Sequence, residues 1–141
     1  MPYDGTSFPH RQTEIAILNQ MQQLMRTRAR WCQGSVHVHS TSINGSWDAY
    51  CLVGALNVAD HEYPARWSTL RFRFQTVAAH NVKKRLDKIA RSRLSFWGRR
   101  PRVFATYAIS YNDSHAYEDV MQLLTDAQQS FEAERQPLVL A

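Results

Sequence analysis

The sequence predicts a mainly α fold: a compact helical domain carrying one small β-hairpin. Three observations lead there. Apolar residues recur at helical spacing in several segments. One short stretch alternates with period two and runs into Asn44-Gly45, a strong signal for a tight turn. The 141 residues are 44% hydrophobic and 21% charged. A chain of that size buries roughly 68–70% of its unfolded surface, so one domain forms without a disulfide or a metal.

The elements follow in order. Residues 1–12 are polar, hold Pro2 and Pro9, and read as an arm. Residues 13–136 form the helical domain and 137–141 a tail. A first helix is expected over residues 13–30, with Ile15, Leu18, Met21 and Met25 as its stripe. The arginines at 26, 28 and 30 would suit the negative end of its dipole. In residues 35–40 the valines point one way and the histidines the other, which gives a hairpin over 33–48. Asp48 would then cap a second helix faced by Leu52, Ala55, Leu56 and Ala59. Gly54 within that face costs about 1 kcal/mol relative to Ala, which close approach of another element would justify. Residues 66–75 fit a strand or the start of a helix. From 76 to 94, Val82, Leu86 and Ile89 form a narrow stripe in a basic helix. Residues 103–111 read as a buried helix and Asn112-Asp113-Ser114 as a turn. A last helix carries Val120, Leu123, Leu124, Ala127 and Phe131, with Glu118 and Asp119 in its first turn.

The net charge of +5 is unevenly spread. Residues 66–102 hold twelve Lys/Arg against Asp87 alone, while 103–141 hold six acids against Arg135. Lys83, Lys84, Arg85, Lys88, Arg91, Arg93, Arg99, Arg100 and Arg102 either meet an external polyanion or pack beside the acidic C-terminal helix. A solvated face with no partner is the bland reading. Lys84, Lys88 and Arg91 would share one helical face. Trp67, Phe72, Phe74, Phe96 and Trp97 border the segment, where they would stack on bases or fill the core. No zinc-finger, RNA-recognition or helix-turn-helix signature supports sequence-specific readout.

Two further chemistries compete. Cys51 is the candidate nucleophile: in the first turn of a helix capped by Asp48, the dipole would favour its thiolate. His37, His39, His80 or His115 would serve as base and Asp113 as orienting group. The competing fate of Cys51 is burial, since it leads into Leu-Val-Gly-Ala-Leu. Cys32, His37, His39 and Cys51 are the candidate zinc set, although the paired cysteine spacing usual for such sites is missing.

Three pieces carry a resemblance: Trp31-Cys32-Gln33-Gly34, Cys51-Leu52-Val53-Gly54-Ala55-Leu56, and Tyr111-Asn112-Asp113 before a helix holding Glu118 and Val120. Over roughly residues 13–133 the chain resembles a family of small uncharacterised bacterial and phage proteins, a domain of unknown function. Its members show Trp-x-Gln-Gly, Cys-x-x-Gly-Ala-Leu and Trp-Asn-Asp stretches. Tyr111 stands where the family usually has Trp, and His115 where a capping Thr is expected. The resemblance implies a helical fold with a small hairpin and a phage or mobile-element origin, and no established activity.

These readings converge on a non-enzymatic binding protein whose basic surface, residues 66–102, meets nucleic acid or an acidic protein surface. A Cys51-dependent hydrolase or transferase is the alternative, and a self-assembling homo-oligomeric module the third. No cofactor is expected. The absence of an apolar run of about 18 residues argues against a membrane partner. Two cysteines fit a reducing cytoplasm.

Overall fold

The computed structural model describes residues 8–60, 76–95 and 107–135. Five helices and one hairpin are found among them: α1 (Phe8–Leu24), a 3₁₀ turn (Arg28–Arg30), β1 (His37–Ser42), β2 (Gly45–Tyr50), α2 (Leu52–Asp60), α3 (Val77–Arg93), α4 (Tyr107–Ser114) and α5 (Tyr117–Arg135). The mainly α architecture with a small hairpin is the one the sequence predicts. The ambiguous stretch 66–75, the aromatics Trp67, Phe72, Phe74, Phe96 and Trp97, and Arg99, Arg100 and Arg102 lie outside the described residues.

Helix α1 is the centre of the bundle and packs on α2, α3 and α5. It presents Ile15, Leu18 and Met21 to the core, and Met25 just beyond it is also fully buried. The helix begins at Phe8, inside the stretch read as an arm, with Pro9 in its first turn. There the missing proline N–H costs nothing, because the first N–H groups have no intrahelical partner. It stops at Leu24, so the arginines 26, 28 and 30 follow the helix instead of closing it. Just past that end, the Tyr117 hydroxyl donates to the Met25 carbonyl (2.6 Å), which gives a terminal acceptor a tertiary partner.

The hairpin is two-stranded and antiparallel, with His39 opposite Asp48 and Ser42 opposite Gly45. It runs over 37–50, shifted along the chain from the expected 33–48, and Asp48 therefore sits inside β2. The capping role expected of Asp48 is corrected on this point. The first N–H groups of α2 find other acceptors: Leu52 N–H donates to Asn112 Oδ1 (3.2 Å) and Gly54 N–H to Cys51 Sγ (3.4 Å). Gly54 is where the expected close approach occurs. A Cβ there would lie 2.1 Å from the Val36 carbonyl oxygen, which also accepts from Cys51 N–H (3.1 Å).

Helix α3 matches its expected span. Thr76 caps it by accepting from Ala79 N–H (3.1 Å), and Ala78, Ala79, Val82, Leu86 and Ala90 are buried. Asn112, Asp113 and Ser114, read as a turn, instead complete α4. The Asp87 carboxylate accepts from Ala108 N–H (2.9 Å) at its start, and the Ser114 hydroxyl donates to the Ser110 carbonyl (2.7 Å) at its end. Short polar side chains satisfy the ends of an eight-residue helix here instead of breaking it. Helix α5 buries the predicted stripe from Val120 to Phe131 and keeps Glu118 and Asp119 in its first turn.

Candidate functional site

The inward stripe of α3 forces its cations onto the remaining faces, and there they divide. Lys83 reaches Asp87 one turn on, at 2.8 Å. Arg85 pairs with Glu134 (2.7 Å), donates to the Ser130 hydroxyl (2.7 Å) and lies 4.1 Å over the Phe131 ring. Arg93 pairs with Asp126, whose second oxygen accepts from Gln122 (2.8 Å). Burial pushes the Asp126 carboxyl up, yet its hydrogen bonds to Arg93 and Gln122 win and hold it below its ordinary value. Lys83, Arg85 and Arg93, expected to contact an external anion, are thus spent within the molecule. Beside the acidic α5, the segment follows the second of the two expected arrangements in part.

Lys84, Lys88 and Arg91 differ. All three are exposed. Lys84 and Lys88 have no carboxylate within ion-pair reach among the described residues, and Arg91 lies 5.5 Å from the Tyr107 ring. Their spacing of four and three residues places them on one face as a row about 10 Å long. That length covers about three phosphates of one nucleic-acid strand at roughly 3.4 Å each.

The candidate nucleophile is in an unfavourable place for catalysis. Cys51 is 4% exposed. Burial pushes its thiol up, and the backbone N–H of Gly54 only partly offsets this. Cys32 is half-buried, donates to the Ser35 carbonyl (3.3 Å) and is pushed up to about 11 by burial, with Cys51 and Asp113 adding to it. Both thiols are therefore protonated near neutrality, whereas a nucleophilic cysteine needs thiolate. Both are free, so no disulfide links them.

The candidate zinc set does not converge. Among the described residues, no group of three or more His, Cys, Asp and Glu is placed to hold a metal ion. His37 and His39 instead share one acceptor, Asp48 Oδ1, at 2.7 and 2.8 Å. A carboxylate only accepts, so His37 donates through Nε2 and His39 through Nδ1, which fixes both tautomers. These bonds, that of His39 first, hold the Asp48 carboxyl below its ordinary value. His37 also stacks on Tyr50, with centroids 5.1 Å apart.

The three motif pieces meet in a polar knot centred on one buried side chain. Asn112 is fully buried. Its Oδ1 accepts from Trp31 Nε1 (2.8 Å) and Leu52 N–H, and its Nδ2 donates to the Cys32 carbonyl (3.0 Å) and to Asp113 Oδ1 (3.1 Å). Gln33 Nε2 donates to the carbonyls of Asn112 and His115 (3.0 Å each), and Gly34 N–H donates to Asp113 Oδ1 (2.9 Å). Gly34 has φ +74°, a backbone conformation suited to glycine. One amide side chain thus ties the loop after α1, the start of α2 and the end of α4. Sequence reasoning named these residues and missed what joins them, because hydrogen bonds between residues 60 to 82 apart leave no local pattern.

The chain is thus a mainly α domain with a small hairpin, tied across three segments by this knot. A family of unknown function matches residues 9–130, and the chain belongs to it. That family is the Family of unknown function (DUF6197). No curated protein and no solved structure matches the chain. Among the described residues, no helix is long and apolar enough to cross a membrane.

Proposed function

We propose that this is a non-enzymatic binding protein whose α3 row, Lys84, Lys88 and Arg91, contacts the phosphate backbone of nucleic acid. The observation that carries the reading is the split within α3: three cations are matched by carboxylates of the same chain, and three on one face have no carboxylate partner among the described residues. Cations at helical spacing without an internal carboxylate form an electrostatic footprint for a polyanion, and phosphate contacts of this kind are independent of sequence. The internal use of Asp126 and Glu134 weighs against charge-driven self-assembly, which would need those acids free. The burial of Cys51 weighs against the hydrolase or transferase alternative. Action in the cytoplasm, on host nucleic acid if the chain has a phage or mobile-element origin, belongs to the same proposal.

The test is a salt titration of binding to a short duplex of arbitrary sequence. Three phosphate contacts give a slope of about −2.7 in log Kobs against log salt, at about −0.9 per phosphate. An affinity that does not change with salt contradicts the reading. So does binding to an acidic protein surface in the absence of any binding to duplex or single strand.

A further inference from the structure

A second cationic place lies away from α3. A cleft of about 490 Å³ opens between the 3₁₀ turn after α1 and the tip of the hairpin, lined by Arg26, Arg30, Gly45 and Trp47 among others. Its volume falls in the range of small-ligand sites, about 300–1,000 Å³. Of the three arginines in the turn region, only the middle one is matched: Arg28 pairs with Glu118. Arg26 and Arg30 flank it with no carboxylate partner among the described residues.

Both walls are held in place. Trp31, next to Arg30, is fixed by Asn112 and packs on Tyr117, with ring centroids 5.8 Å apart. The Tyr117 hydroxyl holds the Met25 carbonyl, next to Arg26. Across the cleft, the Asn44-Gly45 turn is closed by the Ser42 hydroxyl, which accepts from Asn44 N–H (3.2 Å). Trp47 follows on β2, half-buried, and its indole N–H has no partner among the described residues. Two unmatched guanidinium groups call for an anion of fixed geometry, and phosphate oxygens accept from a guanidinium fork. A large flat aromatic beside them calls for a second flat ring.

We propose that this cleft binds a nucleoside monophosphate, with its phosphate on Arg26 and Arg30 and its base against Trp47. The site shares no residue with the α3 row, so the two proposals stand or fall separately.

The test is calorimetric titration of the full chain with adenosine 5′-monophosphate, adenosine and inorganic phosphate. The monophosphate is expected to bind at least tenfold more tightly than either half alone. The double variant R26Q/R30Q loses at least tenfold in that affinity, Trp47→Ala loses a comparable amount, and Trp47→Phe retains most of it. Circular dichroism checks that each variant is folded, and the arginine variants are expected to fold because those side chains make no ion pair among the described residues. The Trp47 indole N–H resonance should shift saturably on titration. Absence of binding by the monophosphate overturns the proposal. Equal binding of inorganic phosphate does so too, as does monophosphate binding that survives R26Q/R30Q but disappears in K84Q/K88Q/R91Q.

Discussion

The polar knot around Asn112 and the outer face of α3 are opposite kinds of polar region. In the knot, polar groups from three distant segments satisfy one another around the buried Asn112. On α3, Lys84 and Lys88 stand in solvent and make no internal bond among the described residues. The first region joins distant segments of the fold, and the second makes no such link. The three sequence pieces that carry the resemblance each contribute to the knot, through Trp31 to Gly34, Leu52, and Asn112 with Asp113. The cations proposed to contact a polyanion lie outside those pieces.

The largest effects belong to the knot. Asn112→Ala strands Trp31 Nε1–H and Leu52 N–H, at about 1–3 kcal/mol for each buried group left without a partner. We expect a loss of about 3 kcal/mol or more in chemical denaturation, with Asn112→Asp failing to rescue because it cannot donate to the Cys32 carbonyl. Gly54→Ala comes next. Its methyl would collide with the Val36 carbonyl, and overpacking of this kind costs about 1–3 kcal/mol. A melting temperature unchanged by that substitution would break the account of why glycine stands there.

Smaller effects are expected elsewhere. Cys51 should react with a thiol reagent only as fast as the domain opens, and Cys32 should react faster as pH rises toward about 11. Rapid alkylation of Cys51 in the native protein at neutral pH would revive the nucleophile reading. Asp48 has its carboxyl held below the ordinary value, so it contributes stability above that value. The contribution is lost as pH falls below about 4 through the depressed pKa. Asp48→Asn should flatten that part of the acid-denaturation profile, and an unchanged profile would show that the two histidine bonds carry no linkage. The triple variant K84Q/K88Q/R91Q should shift stability by no more than about 0.5 kcal/mol, as expected for surface positions.

Local chemistry made much of the fold legible. The stripe in α5, the Thr76-to-Leu94 span of α3 and the Asn44-Gly45 turn each depend on residues a few positions apart, and each stands where the pattern put it. Misreadings occurred where a distant side chain took over an end group. Tyr117 serves a terminal carbonyl just past α1, and Asn112 serves the start of α2 in place of Asp48. Asn112-Asp113-Ser114 has turn composition, but its polar groups are satisfied as the end of a helix. The candidate site was half legible. Charge counting found α3, yet only the packing of α3 against α5 tells Arg85 and Arg93 from Lys84 and Lys88. Trp47 escaped notice, and Arg26 and Arg30 were read only as closing a helix, because the cleft joins a turn to a hairpin tip.

The most direct measurement compares three proteins in one salt titration on the same duplex: the native chain, K84Q/K88Q/R91Q, and Lys83→Gln as a control on an internally paired cation. The account predicts that the native slope of about −2.7 persists in the Lys83 variant and collapses toward zero in the triple variant, with all three folded. A triple variant that keeps the native slope and affinity would contradict the assignment of polyanion binding to the bare face of α3.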